Sequence, residues 1–414
     1  MDENDVLIDR ARSLMNMKRY EQAIGELQRV LAVSPENYNA LILLTGCFIQ
    51  LNNEEKSDEY TQKLISVLPD AGLPYYYRAV YLNRVEKNAE AESMIRQAIQ
   101  MEPWNAVFFG FLAGMYLDRK KWETALEYAN EGLNVDPEDT TCLNYRTISL
   151  TKLNRKEELQ SSIEETLYND PEDSFSHANI GWSKLETGSI QEAQTHFWEA
   201  LKINPDNDYA KEGMKEVIRS KNPLYRFFMN YQFWISKQQG NIQWLFILGV
   251  YFGSKLIAGL ASKYPFFWAI YVPLMFFAYL TWIIEPFANI FLRFDSFGKY
   301  ALDKDEKTAA NITAFCLLTA IVSLSLYFTG NRTDVFMYIG IYSITVVIPL
   351  SRFYMMSERH RKGFMTYYTW TLALLGLIAV LLAFFEEALT IALGTIYFIG
   401  FIAYQWISNY RSIR

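Results

Sequence analysis

Six prolines recur at one fixed interval in the first half of this chain, and that interval limits what the chain can fold into. Each lies 34 residues after the last: Pro35, Pro69, Pro103, Pro137, Pro171 and Pro205. A fixed period of this length indicates a repeat architecture, in which each unit buries its apolar face against its neighbours. Apolar residues recur within each period at intervals of three and four, as helices require. Since each proline prevents one helix from continuing into the next, the pattern predicts stacked helices.

Small residues keep a constant distance from these prolines. Twelve residues before a proline lie Ala23, Ala91, Ala125 and Ala193, and five residues before it lie Val30, Ala98, Gly132 and Ala200. Ser57 and Leu159 depart from this pattern in repeats two and five. With Gly181 and Tyr116, these positions make residues 4–207 resemble the tetratricopeptide repeat (TPR), a helix-turn-helix unit of 34 residues. The resemblance implies an all-α solenoid of about six repeats that binds protein partners.

A solenoid must cover the apolar face of its last repeat. The polar segment DNDYAKEGMKEVIRS, residues 206–220, follows the sixth proline and predicts a capping helix. Residues 1–220 are therefore expected to form the solenoid with its cap.

In this family the first helix of each repeat lines a concave groove. Carried over by register, the groove positions of this chain are Ile8, Arg12, Met15, Asn16, Ile42, Ile49, Tyr76, Val80, Asn83, Arg84, Leu117, Asn144, Ile148, Lys152, Phe175, Trp182 and Leu185. A chaperone-type carboxylate clamp is not expected, because Ile8 and Arg12 stand where that clamp needs Lys and Asn. The aromatic residues Tyr76, Phe175 and Trp182 are predicted to anchor a partner. The alternative is that these rings only pack between repeats.

The composition changes abruptly after Asn222. Residues 1–220 hold 23 basic and 37 acidic residues, whereas residues 221–414 hold 16 and 9. An acidic first part argues against nucleic acid, whose phosphates attract basic surfaces. A basic and very apolar second part is typical of a membrane domain with Lys and Arg at its edges.

About 20 apolar residues cross the hydrocarbon core of a bilayer. The sequence predicts six such spans in residues 241–414, at roughly 242–261, 266–284, 309–329, 335–351, 366–385 and 388–407. Glu386 and Glu387 separate the last two spans and predict a turn, because one helix across both segments would overshoot a bilayer. A six-span helical transmembrane domain follows.

Residues 221–240 join the two predicted domains. The segment PLYRFFMNYQFWISKQQ places its aromatic and aliphatic residues on one broad side of a helix. This pattern predicts an amphipathic helix that lies on the bilayer surface. An extra solenoid helix packed against the cap is the alternative.

The basic residues of the short loops predict the orientation of the spans. Fourteen of them fall on one side, and only Lys263 and Arg332 fall on the other. Positive loops stay in the cytoplasm, and an even number of spans then places both termini and the solenoid there. The N-terminal segment MDENDVLIDRARSL lacks the apolar core of a signal peptide, which agrees with a cytoplasmic solenoid. A bacterial inner membrane is the expected location.

Polar and small residues within the spans are candidates for function or packing. Lys255 and Glu285 are ionisable residues in predicted spans, and such residues often line a polar path. Alternatively, Lys255 extends to the interface and Glu285 already lies there. Gly249 and Gly253 form a GxxxG pair, which favours close helix packing either within the chain or between copies of it.

The sequence favours a scaffold over an enzyme. It contains none of the usual nucleophile, phosphate-loop or metalloprotease motifs, so no catalytic residue, metal or cofactor is expected. We expect a membrane-anchored scaffold or adaptor that recruits a cytosolic protein through its groove and contacts the lipid bilayer. One alternative is a channel, pore or transporter component regulated by the solenoid. Another is a lipid-active enzyme, which would require a cluster of acidic, His or Ser residues that the sequence does not reveal.

Overall fold

A computed structural model describes residues 3–238, 240–294, 298–329, 334–356, 361 and 363–413. Every regular element within these ranges is helical, which confirms the all-α prediction. The chain divides into two compact units. The first unit comprises residues 1–187 and 202–204, and the second comprises residues 188–201 and 205–414.

The helices of the first unit form antiparallel pairs whose bounds repeat with the period of the prolines. They are α1 (Glu3–Asn16), α2 (Tyr20–Val33), α3 (Tyr38–Gln50), α4 (Glu54–Val67), α5 (Gly72–Arg84), α6 (Asn88–Met101), α7 (Ala106–Asp118), α8 (Trp122–Val135), α9 (Thr140–Leu153), α10 (Lys156–Asn169) and α11 (Ser174–Glu186). The second helix of each pair ends two residues before its proline, as the prolines predict.

Each turn between paired helices contains one residue with a left-handed backbone. These residues also recur every 34 positions: Lys18, Asn52, Glu86, Lys120, Asn154 and Gly188. Gly188 adopts its φ of 94° freely because it has no Cβ. The other five have φ between 55° and 62°, which costs an L-residue about 1 kcal/mol. The tight turns between paired helices therefore form in spite of backbone strain at these five residues.

The entrance to the first helix of a pair is stabilised by a short polar side chain. Asn37, Asp139, Asp173 and Asn207 each lie two residues after a proline and accept backbone N–H groups of the next helix. Asp139, for example, accepts from the Cys142 amide at 2.7 Å. A proline followed by such a cap ends one helix and begins the next within four residues.

Close helix approach in the solenoid depends on its small residues. Ala23, Ala91 and Ala125 are completely buried, as their constant spacing predicts. Gly132 lies opposite Cys142, and a Cβ at this glycine would come within 2.4 Å of the Cys142 Sγ. Helices α8 and α9 thus approach more closely than any larger residue would permit.

The second unit contains the remaining helices. They are most of α12 (Ile190–Ile203), then α13 (Asp208–Arg219), α14 (Pro223–Ser236), α15 (Gly240–Ala261), α16 (Trp268–Leu292), α17 (Gly298–Ala301), α18 (Lys304–Phe328), α19 (Asp334–Met355), α20 (Phe364–Leu382) and α21 (Glu387–Ile413). Helix α13 lies where the cap was predicted, and α14 lies in the predicted junction. A turn separates α20 from α21 at residues 383–386.

Among the described residues of this unit, five helices, and not six, are long and apolar enough to cross a membrane. They correspond to Pro265–Leu292, Lys304–Phe328, Asp334–Met355, Phe364–Leu382 and Glu387–Ser408. The first predicted span falls on α15, whose described apolar stretch, Leu248–Ala261, belongs to the shorter class of 10–17 residues. At 1.5 Å per residue such a stretch falls short of the roughly 30 Å of a hydrocarbon core. The prediction of six spans therefore reduces to five for the described residues.

Hydroxyl groups join these long helices to one another. Each bond connects two different helices: Tyr279 Oη donates to the Ile344 carbonyl at 3.0 Å, Tyr342 Oη to Ala373 at 2.8 Å and Tyr368 Oη to Gly400 at 2.6 Å. Where no water is present, these bonds satisfy hydroxyl groups that would be costly to leave without a hydrogen bond in an apolar environment.

We expect Gly132→Ala to destabilise the protein and Gly25→Ala to leave it as stable or more so. Alanine favours a helix over glycine by about 1 kcal/mol at both positions. At Gly132 the new methyl group meets Cys142, and such overpacking typically costs about 1–3 kcal/mol. At Gly25 the methyl group meets no atom within 4 Å. Thermal unfolding of the two variants measures the difference, and equal midpoints would contradict the packing described.

Candidate functional site

The first unit contains a cavity of about 390 Å³ formed mainly by the first helices of repeats three, four and five. Its lining is mixed apolar and polar: Asn83, Phe111, Gly114, Met115, Leu117, Asp118, Trp122, Tyr145 and Ile148. Gly114 helps to open it, because a Cβ there would approach Tyr145 to 3.0 Å. A cavity between parallel helices can receive a single side chain of a bound polypeptide.

Sequence reasoning found part of this lining. Asn83, Leu117 and Ile148 were predicted groove positions and do line the cavity. Phe111 and Tyr145 were missed. Phe111 and Leu117 each lie three residues from Gly114, so they border this glycine on α7, and helical spacing could have included Phe111.

The three predicted aromatic anchors differ in their surroundings. Tyr76 is half-buried, stacks on Phe108 at 5.4 Å and meets the edge of Phe111 at 5.5 Å. Burial raises the pKa of Tyr76 to about 12, so its hydroxyl stays protonated in the physiological range. Phe175 is 48% exposed and Trp182 is half-buried. Phe175 therefore has the most surface for a partner, whereas Tyr76 largely supports its neighbours.

Four other predicted positions are buried. Ile8, Ile49 and Leu185 are buried hydrophobic residues of the repeats. Asn144 is buried as well, donating at 2.8 Å to Ser176 Oγ and accepting from Asn179 at 2.8 Å. The register rule assigned them to the groove because it specifies a helix face, but these side chains point toward the adjacent repeat. They offer no surface to a partner.

The remaining polar positions make local contacts. Arg12 and Asn16 are exposed on α1, and Arg12 pairs weakly with Asp9 at 3.4 Å. Arg84 donates to the Ile49 carbonyl and so joins two repeats. Lys152 forms an ion pair of 2.6 Å with Glu186. Few of these charges are therefore available as isolated ligand contacts.

The candidate residues of the long helices do not converge. Lys255 is exposed and lies over the Tyr251 ring at 5.9 Å. Gly249 and Gly253 face open space, since an added Cβ at either would meet nothing within 4 Å. Close packing at this glycine pair is thus not made within the described part of the chain. Glu285 instead belongs to an ionic cluster of the second unit.

Arg219, the last residue of α13, lies at the centre of that cluster. Only 1% of its side chain is exposed. Its Nη1 contacts Glu216 at 2.6 Å and Glu285 at 3.5 Å, and its Nη2 contacts Glu306 at 3.4 Å. Its Nε donates to Asn289 Oδ1 at 3.0 Å. One guanidinium therefore joins α13 to α16 and α18.

Lys215 lies one turn earlier on α13 and extends the cluster. Its ammonium donates to Glu306 Oε2 at 2.9 Å and to Glu212 at 2.8 Å. Glu306 also closes a capping box with Asp303 at the start of α18. The same carboxylate thus caps one helix and binds two cations of another.

Burial and charge act in opposite directions on these groups. Burial alone would lower the pKa of Arg219, but the carboxylates of Glu216 and Glu285 outweigh it, so that its pKa is raised. Burial raises the pKa of Tyr225, and the nearby charge of Glu216, whose carboxylate accepts the Tyr225 hydroxyl at 2.7 Å, adds to this. Both side chains therefore keep their protons. The guanidinium of Arg219 therefore stays charged over the physiological pH range.

Sequence reasoning assigns Arg219 no special role, because it counts this residue only among the basic residues that flank the spans. Asn289 and Glu306 lie 70 and 87 residues further along the chain. No periodic pattern connects residues so far apart.

Comparison with known proteins identifies the repeats. Residues 14–79 match the tetratricopeptide repeat family. No curated protein matches the chain.

Several solved structures resemble part of this chain at low identity. A chain of the APC/C hetero-tetramer Cut9-Hcn1 is 13% identical with a TM-score of 0.45, covering 52% of this chain and 42% of that one. Pseudomonas aeruginosa pilF is 16% identical with a TM-score of 0.41, covering 50% and 95%. YrrB, described as a TPR protein with an unusual peptide-binding site, is 18% identical with a TM-score of 0.33, covering 46% and 97%.

We expect Arg219→Gln to loosen α13 strongly, whereas Lys211→Gln on the same helix does not. Removing Arg219 leaves Glu216 without its cation and Glu306 with Lys215 alone, and breaking a buried ion pair typically costs about 3–5 kcal/mol. Lys211 forms exposed pairs with Asp206 and Asp208, and such pairs contribute about 0–1 kcal/mol. Hydrogen exchange of the α13 amides measures both effects. Equal protection in the two variants would show that the cluster does not hold the helix.

Proposed function

Because the first part of this chain is a tetratricopeptide-repeat solenoid, we propose that the protein is a membrane-anchored scaffold that recruits a protein partner through the concave side of its repeats. The observation that carries the proposal is the presence of this solenoid and of five helices of membrane-spanning length in one chain. A solenoid presents an extended surface to a partner and does not enclose a reaction site. The apolar helices confine that surface to a bilayer.

The cavity lined by Asn83, Leu117 and Ile148 is the proposed centre of partner contact. Half-buried apolar and aromatic side chains at a concave surface are typical of the positions that dominate binding energy. Phe175, two repeats along, offers a second exposed ring. The partner is expected to insert an apolar side chain at the cavity.

The transport alternative receives less support from the geometry. Glu285 pairs with Arg219, and Lys255 lies against Tyr251 on a helix surface. These two residues therefore do not line a common polar path among the described residues. Anchoring is the simpler role for the long helices.

For the membrane arrangement we propose that α15 also crosses. The excess of basic residues in alternate loops favours six crossings. Both termini would then lie in the cytoplasm of a bacterial inner membrane. With five crossings they would lie on opposite sides.

We expect Ile148→Glu to weaken partner capture by about tenfold or more, the range of a central interface residue. A carboxylate in the cavity would have to be desolvated when an apolar side chain binds. Tyr168→Glu is the matched control, because Tyr168 is 87% exposed on α10 and outside the cavity. Affinity purification followed by quantitative mass spectrometry compares the two. Equal recovery of every partner would contradict the groove proposal.

Labelling with a membrane-impermeant thiol reagent tests the arrangement of the helices. In spheroplasts we expect Ser262→Cys to react with the reagent, because this residue follows α15 and would lie on the outer side of the inner membrane. Ser66→Cys in the solenoid and a tag attached after Arg414 should be protected until the membrane is broken. The native cysteines that the structure describes are buried, which limits background labelling. An accessible tag with a protected Ser262→Cys would establish five crossings.

A further inference from the structure

A polar cavity lies beside the ionic cluster of the second unit, at the end of the long helices α16 and α19. It has a volume of about 450 Å³. Glu216 of α13, Tyr225 and Gln232 of α14, residues of α16 around Glu285 and residues of α19 around Arg352 line it. The wall thus combines carboxylates, an amide, hydroxyls and a guanidinium.

Arg352 borders this cavity. Its guanidinium lies 5.2 Å from the centre of the Trp282 ring and close enough to Glu285 for the two charges to attract each other. Stacking on an aromatic ring holds the plane of a guanidinium while its N–H groups remain directed outward. Such a group binds phosphate oxygens through paired hydrogen bonds.

Glu285 supplies the opposite charge in the same cavity. Its Oε1 is 3.5 Å from Arg219, a long contact, and 49% of its side chain is open. Trp282 and Glu285 are three residues apart, so they share a face of α16. The cavity therefore presents a fixed cation beside a partly available anion.

Pro286 adds a backbone acceptor. A proline has no N–H to offer the carbonyl four residues before it, which in α16 is the Trp282 carbonyl. Trp282 and Pro286 both line the cavity. The Trp282 carbonyl and the Glu285 carboxylate together are suited to accept hydrogen bonds from a primary ammonium group.

We propose that this cavity binds a zwitterionic phosphoethanolamine group, with its phosphate on Arg352 and its ammonium on Glu285. The source that the location favours is the head group of a membrane phospholipid, and this part of the inference rests on the proposed membrane insertion of α16 and α19. A cavity of about 450 Å³ lies within the usual size range of small-molecule sites and accommodates such a head group. Ile284, Met355 and Met356 provide an apolar side for its methylene groups.

The chemistry of the site predicts discrimination among lipids. Phosphatidylcholine carries the same phosphate, but its quaternary ammonium cannot donate a hydrogen bond to Glu285. Phosphatidylglycerol has no cation at all. Phosphatidylethanolamine should therefore be preferred over both.

The test is to purify the full chain from bilayers containing equal amounts of these three lipids and to quantify the phospholipids that remain bound. The unaltered protein should retain phosphatidylethanolamine about tenfold over phosphatidylcholine, the scale of one charge-assisted hydrogen bond. Arg352→Gln should lower the retention of phosphatidylethanolamine by about tenfold. Glu285→Gln should bring the ratio of the two lipids towards one.

Lys255→Gln is the matched control, because it removes an exposed cation of a neighbouring apolar helix outside the cavity. This variant should change neither the amount of phosphatidylethanolamine retained nor its preference over phosphatidylcholine. Because Glu285→Gln also removes a contact of Arg219, its fold is checked by hydrogen exchange of α13, and Arg352→Gln remains decisive. Equal retention by Arg352→Gln and the unaltered protein would overturn the proposal.

A soluble probe separates the two sources of the head group. Glycerophosphoethanolamine, added to lipid-depleted protein, should raise the unfolding temperature of the unaltered protein and not of Arg352→Gln. If this occurs without selective lipid retention, the site takes the free compound and the lipid source is wrong. If neither effect is seen, the site itself is wrong. Were the chain to remain in solution without detergent, the membrane proposal would fail, and the soluble probe would still decide whether the cavity binds this chemistry.

Discussion

The enclosed charge of Arg219 is the constraint on which the second unit depends. A guanidinium removed from water is tolerated only when carboxylates and hydrogen-bond acceptors surround it. Here Glu216, Glu285, Glu306 and Asn289 meet that requirement from three helices. The helices α13, α16 and α18 must therefore assemble together, and the wall of the neighbouring polar cavity is formed in the same step.

The repeat architecture was largely predictable because it depends on local chemistry. Prolines end the second helices, and polar residues two positions later cap the following ones, as Asp139 and Asp173 illustrate. The left-handed turn residues were less evident. Gly188 and Asn52 are residue types that favour such a backbone, but Lys18 and Glu86 are not, and only the shared period reveals them.

Features that depend on distant contacts could not be derived in this way. Helical spacing specifies which face a residue occupies, but it does not identify the element that packs against that face. For this reason the groove rule included Ile8 and Asn144, which the adjacent repeat covers. Glu285 could be singled out because ionisable residues are rare in apolar helices. Its partner Arg219 resembled an ordinary loop charge. Hydropathy likewise counted α15 with the other spans, although its described apolar stretch is shorter than theirs.

The separation of Arg219 from its partners has a consequence for synthesis of the chain. Glu306 is added 87 residues after Arg219, which corresponds to about 4–17 s at the usual rates of about 5–20 residues per second. Until that interval ends, Glu306 has not been added, and α13 lacks at least one of the two helices that surround Arg219. The repeats before it contain only local contacts and are free to fold during the delay. The order of the chain thus allows the repeats to fold first, whereas α13 reaches its final contacts only after α16 and α18 have been made.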